Sequence, residues 1–428
     1  ILWGVGLQFG LGMLVFWVPL TRSAVLVLNN AVNAMLDLTE AGSRFVFGSL
    51  LVPDMATTPG PVLAGRWIAR AVMPPYVPVP GDRLSPDNLN LGYVFAFRAL
   101  PSVIFFSALM SLLYALGLIQ PIVNLFARLF RRTMNLSGAE SLSGAANIFV
   151  GIEATLVVRP YLAGMTRSEL CAILASCFGS IASTVLALYA GLLRPVFPGI
   201  TGHLVSASIM AIPACFVMAK ILVPETEVPQ TLGKVLEEKT EVTSEETGVE
   251  SQSEKVDAIG PMESLVTGAL DGAKLAVAIA ALLIAILGLV AVINKIIPLK
   301  TILGILFVPL TFLTGVSLNW QELWQASLLL GQRLVETEVP AYLQLGILSG
   351  QKTLSDRTLL IVSYALCGFA HIPSVGIFVG GLVGLVPSRR KDIVELGWKA
   401  LWAATLATLM IGAVAGVFDT GNPTILGR

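Results

Sequence analysis

Three ionisable side chains interrupt stretches of the sequence that are otherwise apolar. Glu153 lies in NIFVGIEATLVV (residues 147–158), Glu338 in TEVPAYLQLGIL (residues 337–348) and His371 in LCGFAHIPSVGIFVGG (residues 366–381). A carboxylate among apolar groups is costly unless it has a hydrogen-bonding partner or faces a polar cavity. Two carboxylates would be able to hold a polyhydroxylated or amine-bearing solute, and a histidine would be able to contact that solute or carry a proton. The alternative is that all three have structural partners inside a helix bundle.

The composition places these residues in a membrane. Of the 428 residues, 55% are hydrophobic and 13% are charged, whereas a soluble domain is typically about a quarter charged. Several uninterrupted apolar stretches reach the roughly twenty residues needed to cross a bilayer. The formal net charge is zero, which provides no basic field for nucleic acid. The composition therefore predicts an all-α integral membrane protein that does not bind nucleic acid.

The cysteines and the known catalytic motifs point away from metal or enzyme chemistry. All four cysteines lie inside apolar segments without metal-ligand spacing, at Cys171, Cys177, Cys215 and Cys367. We interpret them as small buried hydrophobic residues and expect no disulfide. The sequence has no phosphate loop, nucleophile elbow or His/Glu metal motif at helical spacing. It therefore predicts neither enzymatic activity nor a cofactor.

The elements that must position the three side chains are apolar segments separated by polar ones. Stretches long and apolar enough to cross a bilayer are residues 2–20, 93–117, 168–192, 203–223, 267–296, 357–386 and 393–418. Residues 22–48 are predicted to lie in the interface, and residues 303–316 to be interfacial or re-entrant. Residues 53–90 are rich in proline and glycine, which predicts an exposed loop. Residues 225–258 are acidic and polar, which predicts a disordered linker between two halves.

Two further segments, residues 136–163 and 320–350, are broken by glycine, proline or glutamate and differ from a smooth span. If both are re-entrant hairpins, the basic positions fall on one side of the membrane; these are Arg131, Arg132, Arg167, Lys220, Arg389, Arg390 and Lys391. The positive-inside rule makes that side the cytoplasm. The linker 225–258 and the loop 387–392 are then cytoplasmic, and the C-terminus is outside.

The two halves repeat one order of segments. Each has a broken hairpin with a glutamate, then a segment with small and polar residues at its centre (residues 176–191 and 366–381), then a span. The hairpins would enter from opposite sides, which makes the repeat inverted. Many secondary transporters have this design, in which discontinuous helices meet near the bilayer midplane and bind solute and ion. The predicted fold is an inverted-repeat secondary transporter with two opposed re-entrant helical hairpins and two broken transmembrane helices.

Four stretches resemble the concentrative nucleoside transporter family. They are AESLSGAANIFVG (139–151), VVRPYLAGMTRSEL (157–170), SIMAIPACFVMAKILVPETE (208–227) and CGFAHIPSVGIFVGGLVGLVPSRRKDI (367–393). The resemblance runs from about residue 3 to residue 418 and keeps the order of the segments. It implies a homotrimer that carries nucleosides inward with a sodium or proton gradient, each protomer having eight spans and two hairpins. On that pattern the first span would precede residue 1.

The resemblance also implies candidate binding residues. The family's sodium site uses oxygen atoms near the first hairpin tip and near the break in the next helix, and hard oxygen ligands suit a hard cation. The matching positions here are Asn147, Val150, Ser180 and Ile181. The positions that match the nucleoside site are Gly151, Ile152, Glu153, Val185, Glu338, Phe369, His371 and Ser374.

The nucleoside-binding motifs depart from the family at polar positions. The first hairpin tip of the family reads Gly-Gln-Thr-Glu; this chain has GIE (151–153), which is one residue shorter and lacks the glutamine that contacts the base. Asn-Glu-Phe-Val-Ala-Tyr becomes TEVPAY (337–342), which keeps the glutamate that holds the ribose hydroxyls. Cys-Gly-Phe-Ala-Asn becomes CGFAH (367–371). A site built around one hydrogen-bond pattern rejects ligands that leave its groups unpaired, so these changes predict an altered specificity.

These observations predict a cation-coupled symporter that imports nucleosides across the cytoplasmic membrane by alternating access. The alternatives are a transporter of the same fold for a different ribose-bearing or modified-nucleoside solute, a membrane receptor that does not transport, and a membrane-embedded enzyme. The predicted divisions are a scaffold (1–134), a first transport repeat (135–224), the linker (225–258), a second scaffold part (259–319) and a second transport repeat (320–428).

Other ionisable residues near the hairpins are assigned structural roles. Glu140 and Arg159 flank the first hairpin, and we predict that they form a structural pair or anchor the hairpin at the interface. His203 lies at the boundary between a loop and a span, and no functional role is predicted for it.

Overall fold

The described part of the chain is helical. The computed structural model describes residues 1–48, 51–52, 94–149, 151–233 and 260–421, which contain no β-strand. The helices of the first half are α1 (Leu2–Phe16), α2 (Pro19–Phe47), α3 (Phe95–Ala115), α4 (Gln120–Met134), α5 (Gly138–Ala146), a 3₁₀ helix (Ile152–Gly164), α6 (Arg167–Gly179), α7 (Ser183–Leu193) and α8 (Ile200–Leu222). Those of the second half are α9 (Pro261–Asn294), α10 (Leu299–Leu313), α11 (Trp320–Glu336), α12 (Glu338–Gly350), α13 (Asp356–Ala365), α14 (Ile372–Leu385), a short 3₁₀ helix (Pro387–Arg389) and α15 (Arg390–Phe418). The predicted loop at 53–90 and most of the predicted linker, residues 234–258, lie outside the described residues.

Long apolar helices and interrupted ones alternate along the chain. Within the described residues, α3, α8, α9 and the helical segment Pro387–Phe418 are long and apolar enough to cross a membrane. The segment 168–192 consists of two helices, α6 and α7, and the segment 357–386 consists of α13 and α14. Each pair forms one of the two broken helices that the sequence predicts. The predicted span at 2–20 contains the 15-residue helix α1.

The two hairpins turn in different ways. Hairpin 1 consists of α5 and the 3₁₀ helix Ile152–Gly164. Its first arm begins with a capping box, in which the Ser137 side chain accepts from the backbone N–H of Glu140 and the Glu140 side chain accepts from the backbone N–H of Ser137. Hairpin 2 consists of α11 and α12, which meet at Thr337. The φ angle of Thr337 is +84°, a conformation that a β-branched residue rarely adopts and that stores strain at this tip.

The breaks in the two broken helices contact each other. Gly368 has a φ angle of +132°, and a Cβ atom at that position would lie 2.7 Å from the carbonyl oxygen of Gly179. Only glycine fits this approach. Phe178 and Phe378 pack edge to face beside it, with ring centroids 4.9 Å apart. The first repeat is therefore joined to the second where both helices are interrupted.

Helices α3 and α9 pack closely to form one wall beside the repeats. A Cβ at Gly268 would lie 2.5 Å from the Cβ of Ser111, and a Cβ at Gly272 would lie 2.7 Å from the Cβ of Ser107. Small residues one helical turn apart let the two backbones approach, as in many membrane helix pairs.

The first residues of the predicted linker differ from the prediction of disorder. The backbone N–H of Gly138 donates to the carbonyl oxygen of Thr231 at 3.0 Å, and the N–H of Ala139 donates to Thr231 Oγ1 at 3.1 Å. Thr231 is buried. Residues 225–233 therefore pack against the start of hairpin 1, because Thr231 satisfies backbone donors that a helix N-terminus leaves open.

Candidate functional site

Glu338 forms the centre of a buried polar cluster. Its side chain is 3% exposed and lies at the first position of α12, at the tip of hairpin 2. The hydroxyl of Tyr189, on α7, donates to Glu338 Oε1. Nε2 of His371 lies 2.8 Å from Glu338 Oε2. The carboxylate thus has one partner from each broken helix, which offsets the cost of burying it.

His371 is oriented by the helix that it caps. It is the N-cap of α14, and its Nδ1 accepts from the backbone N–H of Ser374 at 3.2 Å. An accepting Nδ1 carries no proton, so in the neutral ring the proton lies on Nε2, the nitrogen that is 2.8 Å from Glu338 Oε2. The hydroxyl of Ser374 lies 3.0 Å from Nε2. Three polar side chains from hairpin 2 and α14 therefore converge at one place.

Two buried residues that support this cluster are absent from the predicted site. Tyr189 stacks on Tyr342 with ring centroids 4.8 Å apart, and the Tyr342 hydroxyl donates to the carbonyl oxygen of Ser363 at 2.8 Å. Tyr189 lies one helical turn after Val185, on the same face of α7, so helical spacing from the predicted residue would have found it.

Arg333 is fully buried in α11. Its Nη1 donates to the carbonyl oxygen of Ala365 at 2.5 Å and to Thr408 Oγ1 at 2.9 Å, which ties hairpin 2 to α13 and α15.

A cavity of about 610 Å³ adjoins the cluster. Its lining brings together six of the eight positions predicted for the solute, which are Gly151, Val185, Glu338, Phe369, His371 and Ser374. The other two are Ile152 and Glu153; their backbone lies in the 3₁₀ arm of hairpin 1, and their side chains lie outside what the structure describes. The opposite wall is formed by α3 and α9, with Ser107, Ser111, Asp271, Leu275 and Ile279 among its residues.

The positions predicted for the ion lie where hairpin 1 meets the first broken helix. Asn147 caps α5, and its Nδ2 donates to Ser176 Oγ at 2.9 Å. Ser180 follows α6, and its hydroxyl donates to the Ser176 carbonyl oxygen at 2.8 Å. These oxygens belong to the ligand class that sodium prefers. Val150 falls outside the described residues.

Ser208 on α8 is a further residue of this region that the sequence did not single out. Its hydroxyl lies 3.3 Å from the carbonyl oxygen of Ile148 and 3.4 Å from that of Ile181. Two interrupted backbones therefore direct carbonyl oxygens towards one hydroxyl group. Within the described residues there is no group of three or more His, Cys, Asp or Glu side chains that could hold a metal ion.

The pair between Glu140 and Arg159, one of the two alternatives predicted for these residues, is wrong. The Glu140 carboxylate lies 2.6 Å from Nζ of Lys220, on α8, and not beside Arg159. A buried carboxylate needs a charge close to it, and the close packing of hairpin 1 on α8 supplies that charge. His203 has a structural role, since its Nδ1 lies 2.9 Å from the hydroxyl of Tyr364. All four cysteines are buried and free.

Hairpins, broken helices and a cavity that their polar side chains line on one side define an all-helical membrane transporter with an inverted repeat. Comparison with known proteins agrees. Models of the Na⁺-dependent nucleoside transporter N-terminus, of nucleoside recognition, and of the Na⁺-dependent nucleoside transporter C-terminus match residues 1–50, 96–196 and 203–416. The chain belongs to the concentrative nucleoside transporter family.

Individual relatives share nearly the whole chain. The nucleoside permease NupC of Helicobacter pylori is 32% identical over 428 residues, which cover 96% of this chain and 89% of the permease. Human solute carrier family 28 member 3 is 32% identical over 98% of this chain and 56% of its own length. The structure of CNTnw in an inward-facing substrate-bound state is 35% identical, with a TM-score of 0.80 over 99% of this chain and 92% of that chain. These relatives are transporters, which argues against the alternative that this chain is a membrane-embedded enzyme.

Proposed function

We propose that this chain is a cation-coupled symporter that imports nucleosides across the cytoplasmic membrane by alternating access. The observation that carries the proposal is the contact between Glu338 and His371 at the cavity, 2.8 Å apart and both nearly fully buried. Family membership supports the class of solute, and the inverted repeat supports the mechanism.

The cluster has the hydrogen-bonding groups that a ribose needs. A carboxylate accepts hydrogen bonds only, and the two hydroxyls of a ribose are donors that match its two oxygens. Ser374 and His371 lie beside Glu338 and supply further groups for the sugar. Phe369 and Val185 line the same cavity and present apolar surface on which a base packs. Glu153 of hairpin 1 is proposed to face this cavity from the other repeat.

Sodium is the proposed coupling ion, and a proton is the alternative. The side-chain and backbone oxygens near Asn147, Ser180 and Ile181 support sodium, together with the intervening Ser208 hydroxyl. His371 supports the proton, because an imidazole ring is able to accept and release a proton. Val150 completes the proposed sodium site.

The proposal also includes the oligomeric state of the protein and its orientation in the membrane. The α9 helix exposes Leu270, Val277, Ile284, Leu289 and Val292, an apolar surface that lipid or a neighbouring subunit would cover. We propose a homotrimer in the cytoplasmic (inner) membrane, with residues 225–258 and 387–392 in the cytoplasm and the C-terminus outside.

Uptake into proteoliposomes tests the proposal. Purified protein is reconstituted, and uptake of radiolabelled uridine, cytidine, adenosine and guanosine is measured with an inward sodium gradient or an inward proton gradient, each imposed separately. We expect uptake of at least one nucleoside under one gradient and none without a gradient. Saturable binding without gradient-driven uptake, in protein shown to be folded, would instead support a receptor.

A solute other than a standard nucleoside is the second candidate. The observation that favours it is the altered hairpin tip, GIE at 151–153, together with His371 in the place of an asparagine. Such a solute would still carry a ribose, because Glu338 and Ser374 are kept. A thermal-shift screen of modified nucleosides and other ribosides distinguishes the two candidates: the ligand that stabilises the folded protein most is the one to test in uptake.

A further inference from the structure

Asp271 is a carboxylate on an otherwise apolar helix face. The α9 residues that line the cavity recur at helical spacing and are Gly268, Asp271, Leu275, Ile279, Leu282 and Leu283. Asp271 is the tenth residue after Pro261, so it lies roughly 15 Å along the axis from the start of the helix. At 34 residues the helix is roughly 51 Å long, which exceeds a hydrocarbon core of about 30 Å, and Asp271 precedes the stretch 275–293, which has no charged residue. An ionisable residue that borders the apolar part of a membrane-crossing helix and also lines a cavity is a candidate for a functional role.

The local ion pair does not explain this position. Lys274 Nζ lies 2.9 Å from Asp271 Oδ1, but the two side chains are 78% and 58% exposed. An exposed pair three residues apart contributes only a few tenths of a kcal/mol. Lys274 is not among the residues that line the cavity. It neutralises the charge of Asp271 from outside and leaves the carboxylate as a hydrogen-bond acceptor towards the cavity.

A nucleoside bound with its ribose at Glu338 would place its base near Asp271. This step rests on the proposed function. Glu338, His371 and Ser374 form the polar end of the cavity on the repeat side. A solute whose ribose is held there directs its base into the remaining space, towards α3 and α9. The cavity of about 610 Å³ falls within the about 300–1,000 Å³ typical of small-molecule sites.

We propose that Asp271 determines base specificity by accepting a hydrogen bond from an exocyclic amino group of the nucleobase. Hairpin 1 has the apolar Ile152 where the family has the glutamine that contacts the base. A polar contact with the base would therefore come from the opposite wall, formed by α3 and α9. The other polar residues of that wall include Ser107 and Ser111 of α3. A carboxylate accepts and never donates, which selects bases that present N–H groups.

The chemistry of the bases defines the preferred solute. Guanine presents an exocyclic amino group beside a ring N–H, and both point the same way, which suits a carboxylate with two oxygens. Cytosine and adenine present one amino group. Hypoxanthine and uracil have no exocyclic amino group, so they offer a carboxylate only one ring N–H on that edge, beside at least one carbonyl oxygen that the carboxylate repels. Guanosine is therefore the expected best solute, and inosine, which lacks only the 2-amino group, is its matched comparison.

The test measures guanosine and inosine uptake by the full-length protein in proteoliposomes, under whichever gradient drives transport. A good bidentate pair discriminates by about tenfold or more, so we expect wild-type KM to favour guanosine over inosine by that factor. In Asp271→Leu the preference should fall to within about threefold, with inosine uptake retained. Asp271→Asn keeps the shape and one acceptor and should lie between them. Lys274→Gln removes the outward partner and should keep the wild-type preference.

Two results are decisive against the inference. A wild-type protein that transports guanosine and inosine equally well overturns it, as does an Asp271→Leu protein with the wild-type preference. If Asp271→Leu fails to reconstitute, as judged by its elution profile, Asp271→Asn decides by the same ratio. Absence of uptake for every nucleoside overturns the proposed function as well, whereas uptake with a ratio independent of Asp271 overturns this inference alone.

Discussion

Replacing Glu338 by glutamine tests the chemistry of the buried cluster with the smallest change in shape. The side chain is 3% exposed and has Tyr189 and His371 as neighbours. Glutamine has the same number of heavy atoms, and its amide oxygen still accepts from the tyrosine hydroxyl. Its NH₂ group, however, replaces an acceptor by a donor on the side that faces His371. The fold should therefore survive, and the charge and one acceptor are lost.

The expected size of the effect follows from the number of hydrogen bonds. A hydrogen bond to a charged group contributes about 1.5–3 kcal/mol, which corresponds to roughly tenfold to 150-fold in affinity. A ribose whose two hydroxyls donate to Glu338 loses one such bond completely in Glu338→Gln and keeps a weaker one. We expect the ratio of maximal uptake rate to KM to fall by about 100-fold or more.

The assay is initial-rate uptake in proteoliposomes, with the melting temperature and elution profile measured on the same preparations. Glu263→Gln is the matched control, because Glu263 is an exposed glutamate in the first turn of α9 and lies outside the cavity lining. Its uptake should equal that of the wild type. Uptake by Glu338→Gln within threefold of the wild type, in protein of normal stability, would refute the role of the carboxylate as the solute anchor.

Three further substitutions test the partners of this site. In His371→Asn we expect the pH dependence of uptake to flatten between pH 5 and 8, because histidine is the side chain that titrates there; an unchanged profile measured over that range would remove it as a proton carrier. In Ser208→Ala the sodium concentration for half-maximal uptake should rise about threefold to tenfold, the loss expected for one hydrogen-bonding group, and an unchanged sodium titration would contradict the assigned ion region. In Tyr189→Phe, Glu338 loses a buried hydrogen-bond donor, which should lower the free energy of unfolding by about 1–3 kcal/mol and raise the KM for the solute. The control Tyr342→Phe should lower stability without changing KM. If the two variants have the same KM, Tyr189 has no role in the site.

The broken elements of the fold were predictable because they violate the pattern of a membrane span. Charged residues within apolar runs are costly at membrane depth, and irregular backbone there needs protein or a cavity to cover it, so Glu338 and the small and polar centre of residues 366–381 identify a hairpin and a break from the sequence pattern. The order of residues 225–233 was not predictable in this way. It depends on hydrogen bonds from hairpin 1 to Thr231, and composition does not reveal which helix N-terminus a distant segment will cap.

The same distinction holds within the candidate site. Glu338 and His371 were singled out because ionisable residues in apolar segments need a reason to be there, and Ser374 was singled out by the resemblance to the family. Tyr189 escaped attention because a tyrosine is ordinary in an apolar helix, and only its contact with the carboxylate gives it a role. The pairing of Glu140 with Lys220 likewise follows from the packing of hairpin 1 against α8, which spacing along the chain does not reveal.

The contacts of the buried carboxylate restrict how the transporter moves. Tyr189 belongs to the first repeat, and His371 belongs to the second, yet both contact Glu338. Sliding one repeat past the other would separate these groups at membrane depth and leave a charge with too few partners, which costs several kcal/mol. Arg333 adds a link from hairpin 2 to α13 and α15. Under the proposed alternating access, the two repeats should therefore move as one body against the wall of α3 and α9, which provides none of the described partners of the carboxylate.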